Sequence, residues 1–504
     1  MSSTKEKYQR MNEYIESIES KKQMIKSTGI VGSAQVFTVL LQILRTKIIA
    51  YLLGPAGVGL LGILNSIVDM VRNATGMGIN FSGVREISQA VATQDIDTLS
   101  NKAQVLKSWA IFTGIIGALI LLVFCVPICN LTFQENSYIL GVASLSIAVF
   151  LTSMSQSQVA LLQGTRNLAS MAKASVIGVF LSIIIVTPIY FIWGINGMIP
   201  AVILMAASSF LLSYYYVSKL KIPRTSISIR ETIQSGKEMI FLGFASAISG
   251  IISTLSMYYI RSFISSQSTI ESVGYFQASW SISNVYLLSV LNAMAADFFP
   301  RLSAVNKEKE KVNKLVNEQT EIALLIGGPI IVCMFTFSSL IIKMLYSAEF
   351  IESVALLNYF VIGSFFKLLS WPICIILGAK GAFKQILISE TSWNIIFIGL
   401  SILFWDSMNL KGIGISYIIS YVLYIIILFI LVKPLTKFKW SFSIIRHILY
   451  YSFMLLGVVS IYMLFRQYIY WGIFFVFLSL LYSYKYLKTI IDIKNVFKKL
   501  FKKT

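Results

Sequence analysis

Long apolar runs, separated by short polar segments, make up most of the chain. Fourteen runs of about 20 residues recur between residues 29 and 484, and each is long enough to cross a hydrocarbon layer roughly 30 Å thick as an α-helix. We therefore predict an all-α polytopic membrane protein with about 14 transmembrane helices. The predicted spans are 29–53, 58–80, 108–130, 138–160, 170–192, 195–217, 239–266, 273–297, 320–345, 354–378, 383–405, 411–432, 444–465 and 468–484.

Composition and charge sharpen this prediction. Hydrophobic residues make up 56% of the 504 residues and charged residues only 13%, which is too apolar for a soluble protein. The net charge is +20, but 34 of the 42 lysines and arginines fall in alternate connections between spans. The opposite connections hold only Lys343, Lys411 and Arg466. This positive-inside distribution predicts that both termini are cytoplasmic, and it explains the basic charge without a nucleic-acid partner.

An internal repeat relates the two halves of the chain. The matched pairs are Arg45 with Arg261, Val58-Gly59 with Val273-Gly274, and Arg85 with Arg301, at offsets of 216, 215 and 216. Six predicted spans separate the copies, so both copies enter the membrane from the same side and the repeat is parallel. We expect two six-helix bundles related by a pseudo-two-fold axis along the membrane normal, with the substrate site between them near the midplane.

The repeat and the charge pattern together predict five regions. The segment before the first span carries the apolar residues Met11, Tyr14, Ile15 and Ile18, which indicate an amphipathic helix on the cytoplasmic surface. The regions are the N-terminal segment 1–28, the first bundle 29–217, a cytoplasmic linker 218–238, the second bundle 239–432, and residues 433–504 with two extra helices and a basic cytoplasmic tail.

The stretch GVGLLG, residues 57–62, matches the G-x-G-x-x-G pattern of dinucleotide-binding folds. Such a fold requires a βαβ unit, whereas helix-length apolar runs precede and follow this stretch. We therefore predict that Gly54-Pro55 ends the first span in a tight turn. Gly57, Gly59 and Gly62 then allow the second span to pack closely against a neighbour.

The sequence predicts neither a cofactor nor a metal site. The four cysteines lie within apolar runs and show no paired ligand spacing, so packing is their expected role. His447 is the single histidine, and we expect it at the membrane surface. No P-loop is present, which argues against direct use of ATP and favours an ion gradient as the energy source.

Charged residues inside the predicted spans are the strongest functional signal, because each costs several kcal/mol unless it is paired, hydrated or able to reach the interface. Arg45 lies about eight residues, or roughly 12 Å, from the outer end of its span, beyond easy reach of a side chain. Lys47 and Arg261 have the alternative of extending to the outer interface. The whole set is Arg45, Lys47, Asp69, Arg72, Arg261, Asp297, Lys367 and Glu390.

This set is net positive, so a cavity built from it should bind an anion, and phosphate suits the planar fork of arginine. On the second span Asn65, Asp69, Arg72 and Asn73 form one helical stripe. The stripe either lines a cavity or holds a helix interface in which Asp69 and Arg72 neutralise each other.

The eighth span carries the neutral groups Gln277, Ser281 and Asn284 at the same helical spacing as the stripe on the second span. Lys367 in the tenth span can supply a positive charge from the C-terminal half. Asp69 and Glu390 are the candidates for carrying a coupling ion, H⁺ or Na⁺. The candidates for binding this anion are Arg45, Lys47, Arg72, Arg261 and Lys367. The candidates for neutral hydrogen bonds to the ligand are Asn65, Asn73, Gln277, Ser281 and Asn284.

Two segments carry a family resemblance: KIIAYLLGPAGVGLLG, residues 47–62, and GMGINFSGVREISQA, residues 76–90. They resemble the polysaccharide biosynthesis flippases, including O-antigen lipid carriers, of the multidrug/oligosaccharidyl-lipid/polysaccharide exporter superfamily. The resemblance implies a V-shaped pair of bundles in the bacterial inner membrane that moves an undecaprenyl-pyrophosphate-linked oligosaccharide to the outer leaflet. It also implies that the five candidate cations face pyrophosphate and that the five neutral polar candidates face sugar. Glycan-assembly proteins are the implied partners.

This chain departs from the pattern of the family in two respects. Related lipid flippases carry cations on helices 1, 2 and 8, and here the first two supply Arg45 and Arg72 while the eighth has no cation near its middle. Many members have twelve helices, two fewer than predicted here. Both departures concern details of the cavity.

Two other classes of function stay open. A multidrug exporter of the same superfamily would need a carboxylate-rich cavity for cationic compounds, which the positive set does not offer. A membrane glycan polymerase or ligase would need a developed outer loop, whereas every outer connection is short. We therefore predict a transporter rather than an enzyme.

Overall fold

A computed structural model describes most of the backbone. The described residues are 2–133, 136–223, 225, 228–286, 291, 294, 298–299, 301–303, 305–464 and 471–490. Within this part, side chains are described from Phe37 onward, apart from residues 80–81, 92, 136, 229, 231, 235, 238–246, 285–286 and 489–490. The predicted amphipathic face of the N-terminal segment, the intramembrane Asp297 and the basic tail after residue 490 therefore lie outside the described residues.

The first half of the chain contributes eight helices. They are α1 (Ser2–Gly76), α2 (Ile79–Ala92), α3 (Ile96–Val123), α4 (Cys125–Phe133), α5 (Ile139–Gly164), α6 (Leu168–Trp193), α7 (Met198–Ser218) and α8 (Ile229–Gln267). Short 3₁₀ turns at Asn136–Tyr138 and Gly194–Gly197 connect some of them. The last ten residues of the predicted linker thus belong to α8.

Within the described part of the second half, eight more helices have defined bounds. They are α9 (Ile270–Trp280), α10 (Lys309–Thr336), α11 (Ser338–Leu345), α12 (Ser353–Ala379), α13 (Phe383–Met408), α14 (Leu410–Thr436), α15 (Phe442–Leu464) and α16 (Gly472–Ile490). A π-helical turn, Ser281–Tyr286, continues α9, and a 3₁₀ turn, Ala348–Glu352, precedes α12. The predicted all-α class is confirmed.

Nine helical stretches in the described part are long and apolar enough to cross a membrane. Two of them are unusually long, the 40 residues of Phe37–Gly76 and the 51 residues of Leu168–Ser218. Each contains an irregular point, at Gly54 and at Gly194, where the sequence predicts a boundary between spans. The protein is a multi-pass membrane protein, and the total of 14 spans stays a prediction.

The predicted turn at Gly54-Pro55 is a single-residue break within α1. Gly54 has φ 62° and ψ −163°, a conformation open to glycine because it has no Cβ atom. Pro55 follows, and its fixed φ together with its missing N–H suits the first position of a new helical segment. The break needs no additional loop residues, so helix resumes at once.

The chain forms two compact units. Unit 1 comprises residues 1–53 and 63–254, and unit 2 comprises residues 54–62 and 255–504. In unit 1 the helices α2, α3 and α5 enclose an apolar core of Ile79, Ile87, Val105, Leu106 and Ala160. This core places α3 and α5 beside the second half of α1.

In unit 2 an aromatic cluster joins α9, α12, α13 and α14. Trp280 lies 5.7 Å from both Phe360 and Tyr417, measured between ring centroids, in edge-to-face arrangements. Phe397 is stacked 6.3 Å from Trp280. Such aromatic pairs add about 0.5–1.5 kcal/mol each beyond their buried area, so the cluster fixes α9 firmly.

The glycines of the repeated Val-Gly pair meet within unit 2. A Cβ atom on Gly59 would lie 2.7 Å from the backbone nitrogen of Gly274, and it would also overlap Ile270. A Cβ atom on Gly274 would in turn lie 2.7 Å from the carbonyl carbon of Pro55. Gly59 therefore faces the backbone of Ile270, and Gly274 faces the backbone of Pro55. The predicted close packing at Gly59 is confirmed.

The two extra helices pack against α10 through polar contacts. His447 Nε2 lies 3.0 Å from Glu321 Oε1, and His447 Nδ1 lies 2.9 Å from the Tyr482 hydroxyl. The sequence placed His447 at the membrane surface, but its side chain is fully buried between α10, α15 and α16. The difference arises because Glu321 and Tyr482 satisfy both ring nitrogens away from water.

Candidate functional site

Arg45 lies in unit 1, where α1 faces α6 and α7. Its Nη1 donates to Ser182 Oγ at 3.4 Å, which is long for a hydrogen bond to oxygen, and to Met205 Sδ at 3.5 Å, where the thioether is a weak acceptor. Its Nε atom is buried and has no hydrogen-bond partner among the described residues. Arg45 also forms no ion pair with them. This guanidinium therefore retains donors for an additional acceptor.

Tyr190 adds a second unsatisfied group beside Arg45. Its side chain is 2% exposed, and its hydroxyl has no hydrogen-bond partner among the described residues. The phenol is close enough to interact electrostatically with the Arg45 guanidinium. A buried cation and a buried hydroxyl donor, both incompletely satisfied, form an environment suited to a negatively charged group.

Lys47 does not share this environment. It lies two residues from Arg45 on α1, and its side chain is exposed. Residues two apart on a helix do not face the same way, which explains the difference. The exposure favours the alternative that Lys47 extends to the interface.

The polar stripe on the second half of α1 contains a charge pair and also lines a cavity. Arg72 Nη2 donates to Asp69 Oδ1 at 3.0 Å, so the two charges do pair. Arg72 and Asn73 also line a cavity of about 190 Å³ in unit 1, together with groups such as Thr113 and Gln156. Asn65 is exposed and does not line this cavity.

In unit 2 the repeat counterpart of Arg45 is well satisfied. Arg261 Nε donates to Gln277 Oε1 at 3.0 Å, and Gln277 Nε2 donates to Ser281 Oγ at 3.1 Å. Two of the predicted polar groups of the eighth span, Gln277 and Ser281, thus bind each other, and Gln277 also binds Arg261. Gly62 packs against Gln277, since a Cβ atom on this glycine would lie 3.0 Å from Gln277 Oε1.

Lys367 has neutral partners only. Its Nζ donates to Asn284 Oδ1 at 2.7 Å, and the Tyr417 hydroxyl donates to the same oxygen at 3.1 Å. Asn284 Nδ2 donates to Ser283 Oγ at 3.0 Å. Lys367 forms no ion pair within the described part of the chain, so its positive charge is uncompensated there.

Glu390 lies on α13, half-buried and near Cys374 and Tyr424. The Tyr424 hydroxyl donates to Cys374 Sγ at 3.4 Å. Glu390 forms no ion pair with any described residue, and Lys367 is not its partner. The structure thus keeps this carboxylate apart from the Lys367 and Asn284 cluster.

Comparison with known proteins identifies the family of this chain. The family model of polysaccharide biosynthesis proteins matches residues 48–355, more than half of the chain. The chain belongs to this family. A Shigella flexneri protein named "Putative O-antigen transporter" is 24% identical over 387 residues, covering 74% of this chain and 88% of the relative. The predicted family is therefore confirmed.

Solved structures share the fold of this family member. The lipid II flippase MurJ, in an inward closed conformation, has a TM-score of 0.66 at 16% identity, and the match covers 91% of this chain and 98% of the other. An inward-facing multidrug resistance MATE transporter of the MOP superfamily has a TM-score of 0.64 at 16% identity, with 79% and 96% covered. Identities this low show only that the chain shares the fold of these two transporters.

Sequence reasoning missed three partners of the predicted cations in this family member. Ser182 and Tyr190 lie near Arg45, and Tyr417 bonds the amide that holds Lys367. Tyr190 lies near the end of its predicted span, where tyrosines are common at the membrane interface. A tyrosine buried in an apolar helix needs a partner for its hydroxyl, and that requirement is the signal available from sequence.

Proposed function

We propose that this protein is a flippase for an undecaprenyl-pyrophosphate-linked oligosaccharide, such as an O-antigen or another surface polysaccharide repeat unit. It moves this lipid from the inner to the outer leaflet of the bacterial cytoplasmic membrane by alternating access, driven by an ion gradient. Membership of the polysaccharide biosynthesis family and the name of the Shigella relative support this class of substrate.

The observation that carries the proposal is the unsatisfied guanidinium of Arg45. An arginine buried with neutral partners is costly, because the desolvation of its charge is not offset by an opposite charge. Pyrophosphate supplies that charge and accepts two parallel hydrogen bonds from one guanidinium. We therefore assign pyrophosphate binding to Arg45, supported in the same unit by Arg72.

Roles for the remaining candidates follow from their partners. Asn73 lines the cavity beside Arg72 and is a sugar ligand in this scheme. Gln277, Ser281 and Asn284 carry amide and hydroxyl groups suited to sugar hydroxyls, and Lys367 adds a cation. Asp69 and Glu390 are the carboxylates available to carry H⁺ or Na⁺.

An exporter of cationic drugs is the alternative within the same fold. Such a protein needs carboxylates that a cationic drug can pair with. Of the two described candidate carboxylates, Asp69 already pairs with Arg72, so only Glu390 has no ion pair among the described residues. This single carboxylate stands against two cations with neutral partners, Arg45 and Lys367. If the drug alternative were correct, deletion of the gene would lower drug resistance, whereas the flippase proposal expects no change.

The decisive experiment compares two neighbouring cations of α1. In a strain that lacks the native gene, Arg45→Gln should reduce surface display of the glycan about 10- to 100-fold, which corresponds to the loss of charged hydrogen bonds worth about 1.5–3 kcal/mol. Lys47→Gln is the matched control, because it removes the same charge from an exposed site, and it should retain display. Membrane abundance and monodispersity should be equal for the two variants.

Normal display by a well-expressed Arg45→Gln variant would contradict the assigned role of Arg45. Equal loss in both variants would instead indicate a general effect of charge on α1. The coupling ion is tested with purified protein in proteoliposomes, where transport should follow a proton or sodium gradient. Glu390→Gln and Asp69→Asn should weaken that dependence if these carboxylates carry the ion.

A further inference from the structure

A second cavity of unit 1 lies apart from the candidate residues described above. It has a volume of about 300 Å³ and lies among α3, α5, α7 and the segment 221–223 that follows α7. Its walls are mainly apolar and include Leu106, Leu161, Phe210 and Val217. None of the candidate substrate-binding residues lines it, so the proposed flippase mechanism does not use this cavity.

Two lysines give the cavity a positive charge. Lys107 of α3 and Lys221, three residues beyond α7, both line it, and both are exposed. Neither forms an ion pair within the described part of the chain, whereas the neighbouring Lys102 Nζ lies 2.8 Å from Glu86 Oε2. Because none of the residues lining the cavity is acidic, the charge of the two lysines is uncompensated within the cavity.

The polar lining contains an unsatisfied hydroxyl. Ser100 is 1% exposed, and its Oγ atom has no hydrogen-bond partner among the described residues. Two other polar groups of the lining have partners, since Ser157 Oγ donates to Met154 O at 2.8 Å and Gln158 Oε1 accepts from Ser213. An unpaired buried hydroxyl is unfavourable, so a ligand oxygen that accepts from Ser100 would stabilise this arrangement.

The helices that form the cavity also carry exposed apolar side chains. Ile115 lies eight residues after Lys107 on the same face of α3, and it is 47% exposed. Leu211 and Tyr214 lie three apart on α7 and are 61% and 47% exposed. Both helices belong to membrane-spanning stretches, so these side chains are suited to contact with acyl chains.

We propose that this cavity binds a phospholipid with an anionic headgroup. The phosphate lies between Lys107 and Lys221, Ser100 donates to a headgroup oxygen, and the acyl chains lie along the exposed faces of α3 and α7. Basic pockets between transmembrane helices are suited to acidic lipid headgroups, which supports this choice of ligand. The proposal does not depend on the transported substrate.

The test uses the purified full-length protein in detergent and native mass spectrometry with added phosphatidylglycerol. Phosphatidylcholine is the zwitterionic comparison, and inorganic phosphate is added as a competitor. Wild type should retain phosphatidylglycerol in preference to phosphatidylcholine. The double variant Lys107→Gln with Lys221→Gln should bind phosphatidylglycerol about 30-fold more weakly, on the basis of about fivefold for each lysine near the headgroup.

Three further variants separate a specific site from a charge effect. Lys173→Gln with Lys237→Gln removes the same charge from exposed lysines of unit 1 that do not line the cavity, and it should bind like wild type. Lys107→Arg with Lys221→Arg keeps the charge and should also bind. Ser218→Trp places a large side chain at an exposed position of the lining and should lower binding without changing charge.

Two results would overturn the proposal. The first is undiminished phosphatidylglycerol binding by the Lys107→Gln and Lys221→Gln double variant, or an equal loss in the Lys173→Gln and Lys237→Gln control. The second is displacement of the lipid by inorganic phosphate at equal concentration, which would identify a free-phosphate site. Loss of binding confined to the cavity variants, with monodisperse protein throughout, would support the lipid site.

Discussion

Arg45 and Arg261 occupy equivalent positions of the repeat, yet their side chains are held very differently. Arg261 Nε donates to Gln277 at 3.0 Å, and Gln277 is itself fixed by Ser281. Among the described residues, Arg45 has a long hydrogen bond to Ser182 and a bond to a weak acceptor, the sulfur of Met205, and its Nε is unpaired. The same residue type is therefore satisfied in unit 2 and unsatisfied in unit 1.

This difference distinguishes an arginine with a structural role from one with a proposed functional role. The presence of an arginine with a well-placed amide partner is explained by its hydrogen bond within a helix interface. A buried arginine with an unpaired donor lowers stability, because an unsatisfied buried group costs about 1–3 kcal/mol, and more when it is charged. Natural proteins retain such groups at functional sites at the expense of stability. On this basis we propose that Arg45, rather than Arg261, is the arginine that binds a ligand.

The largest expected effect is a loss of stability, and it tests whether the two repeated glycines, Gly59 and Gly274, are equally important for packing. Gly59→Leu and Gly274→Leu should each destabilise the protein by at least about 3 kcal/mol, because the new side chain would overlap backbone atoms that cannot move aside easily. Gly399→Leu is the control, since no atom lies within 4 Å of a Cβ atom there. Yield of monodisperse protein and melting temperature in detergent measure the effect. A stable Gly59→Leu variant would show that the contact is not close.

The second prediction separates the two arginines directly. Arg45→Met should reduce glycan transport about 10- to 100-fold and raise the melting temperature, because an uncompensated buried charge is replaced by an apolar side chain. Arg261→Met should lower the melting temperature, because Gln277 Oε1 loses its donor at a cost of about 1–3 kcal/mol. Transport assays and thermal shifts on both variants check this. The reverse pattern would overturn the assignment.

The third prediction concerns a variant in which Arg45 gains a carboxylate partner, so that both arginines are satisfied. Ser182→Asp should pair with the guanidinium, leave the melting temperature unchanged or higher, and lower transport about 10-fold, since one charged hydrogen bond to the substrate is lost. Ser182→Asn has a similar shape without the charge and should retain transport. Equal transport by the two variants would show that the free guanidinium is not required.

Periodicity and charge were enough to predict the helices and the local pairs. The span predicted at 383–405 corresponds to α13, and the Asp69 and Arg72 pair follows from their spacing of three residues on one helix. Helix ends at Gly54 and Asn409, both with positive φ, coincide with predicted boundaries. These features depend on neighbouring residues, which a single sequence displays.

The distant partners could not be predicted, for a physical reason. Ser182 and Met205 are 137 and 160 positions from Arg45, and Asn284 is 83 positions from Lys367. Contacts over such separations depend on how whole helices pack, and helical periodicity gives no direct information on that packing. The sequence therefore identified the cations but not which of them is left unsatisfied.

The smallest expected effect distinguishes the two tyrosines beside the cations. Tyr417→Phe should destabilise the protein by about 1 kcal/mol, because Asn284 Oδ1 loses one of its two donors. Tyr190→Phe should leave the melting temperature unchanged or slightly higher, since its hydroxyl has no partner among the described residues. If Tyr190 donates to the same anion as Arg45, Tyr190→Phe should still weaken transport several-fold, as expected for one lost hydrogen bond of about 1 kcal/mol. Unchanged transport with Tyr190→Phe would show that the Tyr190 hydroxyl does not bind the anion. The anion-binding role in unit 1 would then belong to the cations, and the unpaired hydroxyl would be a defect of packing.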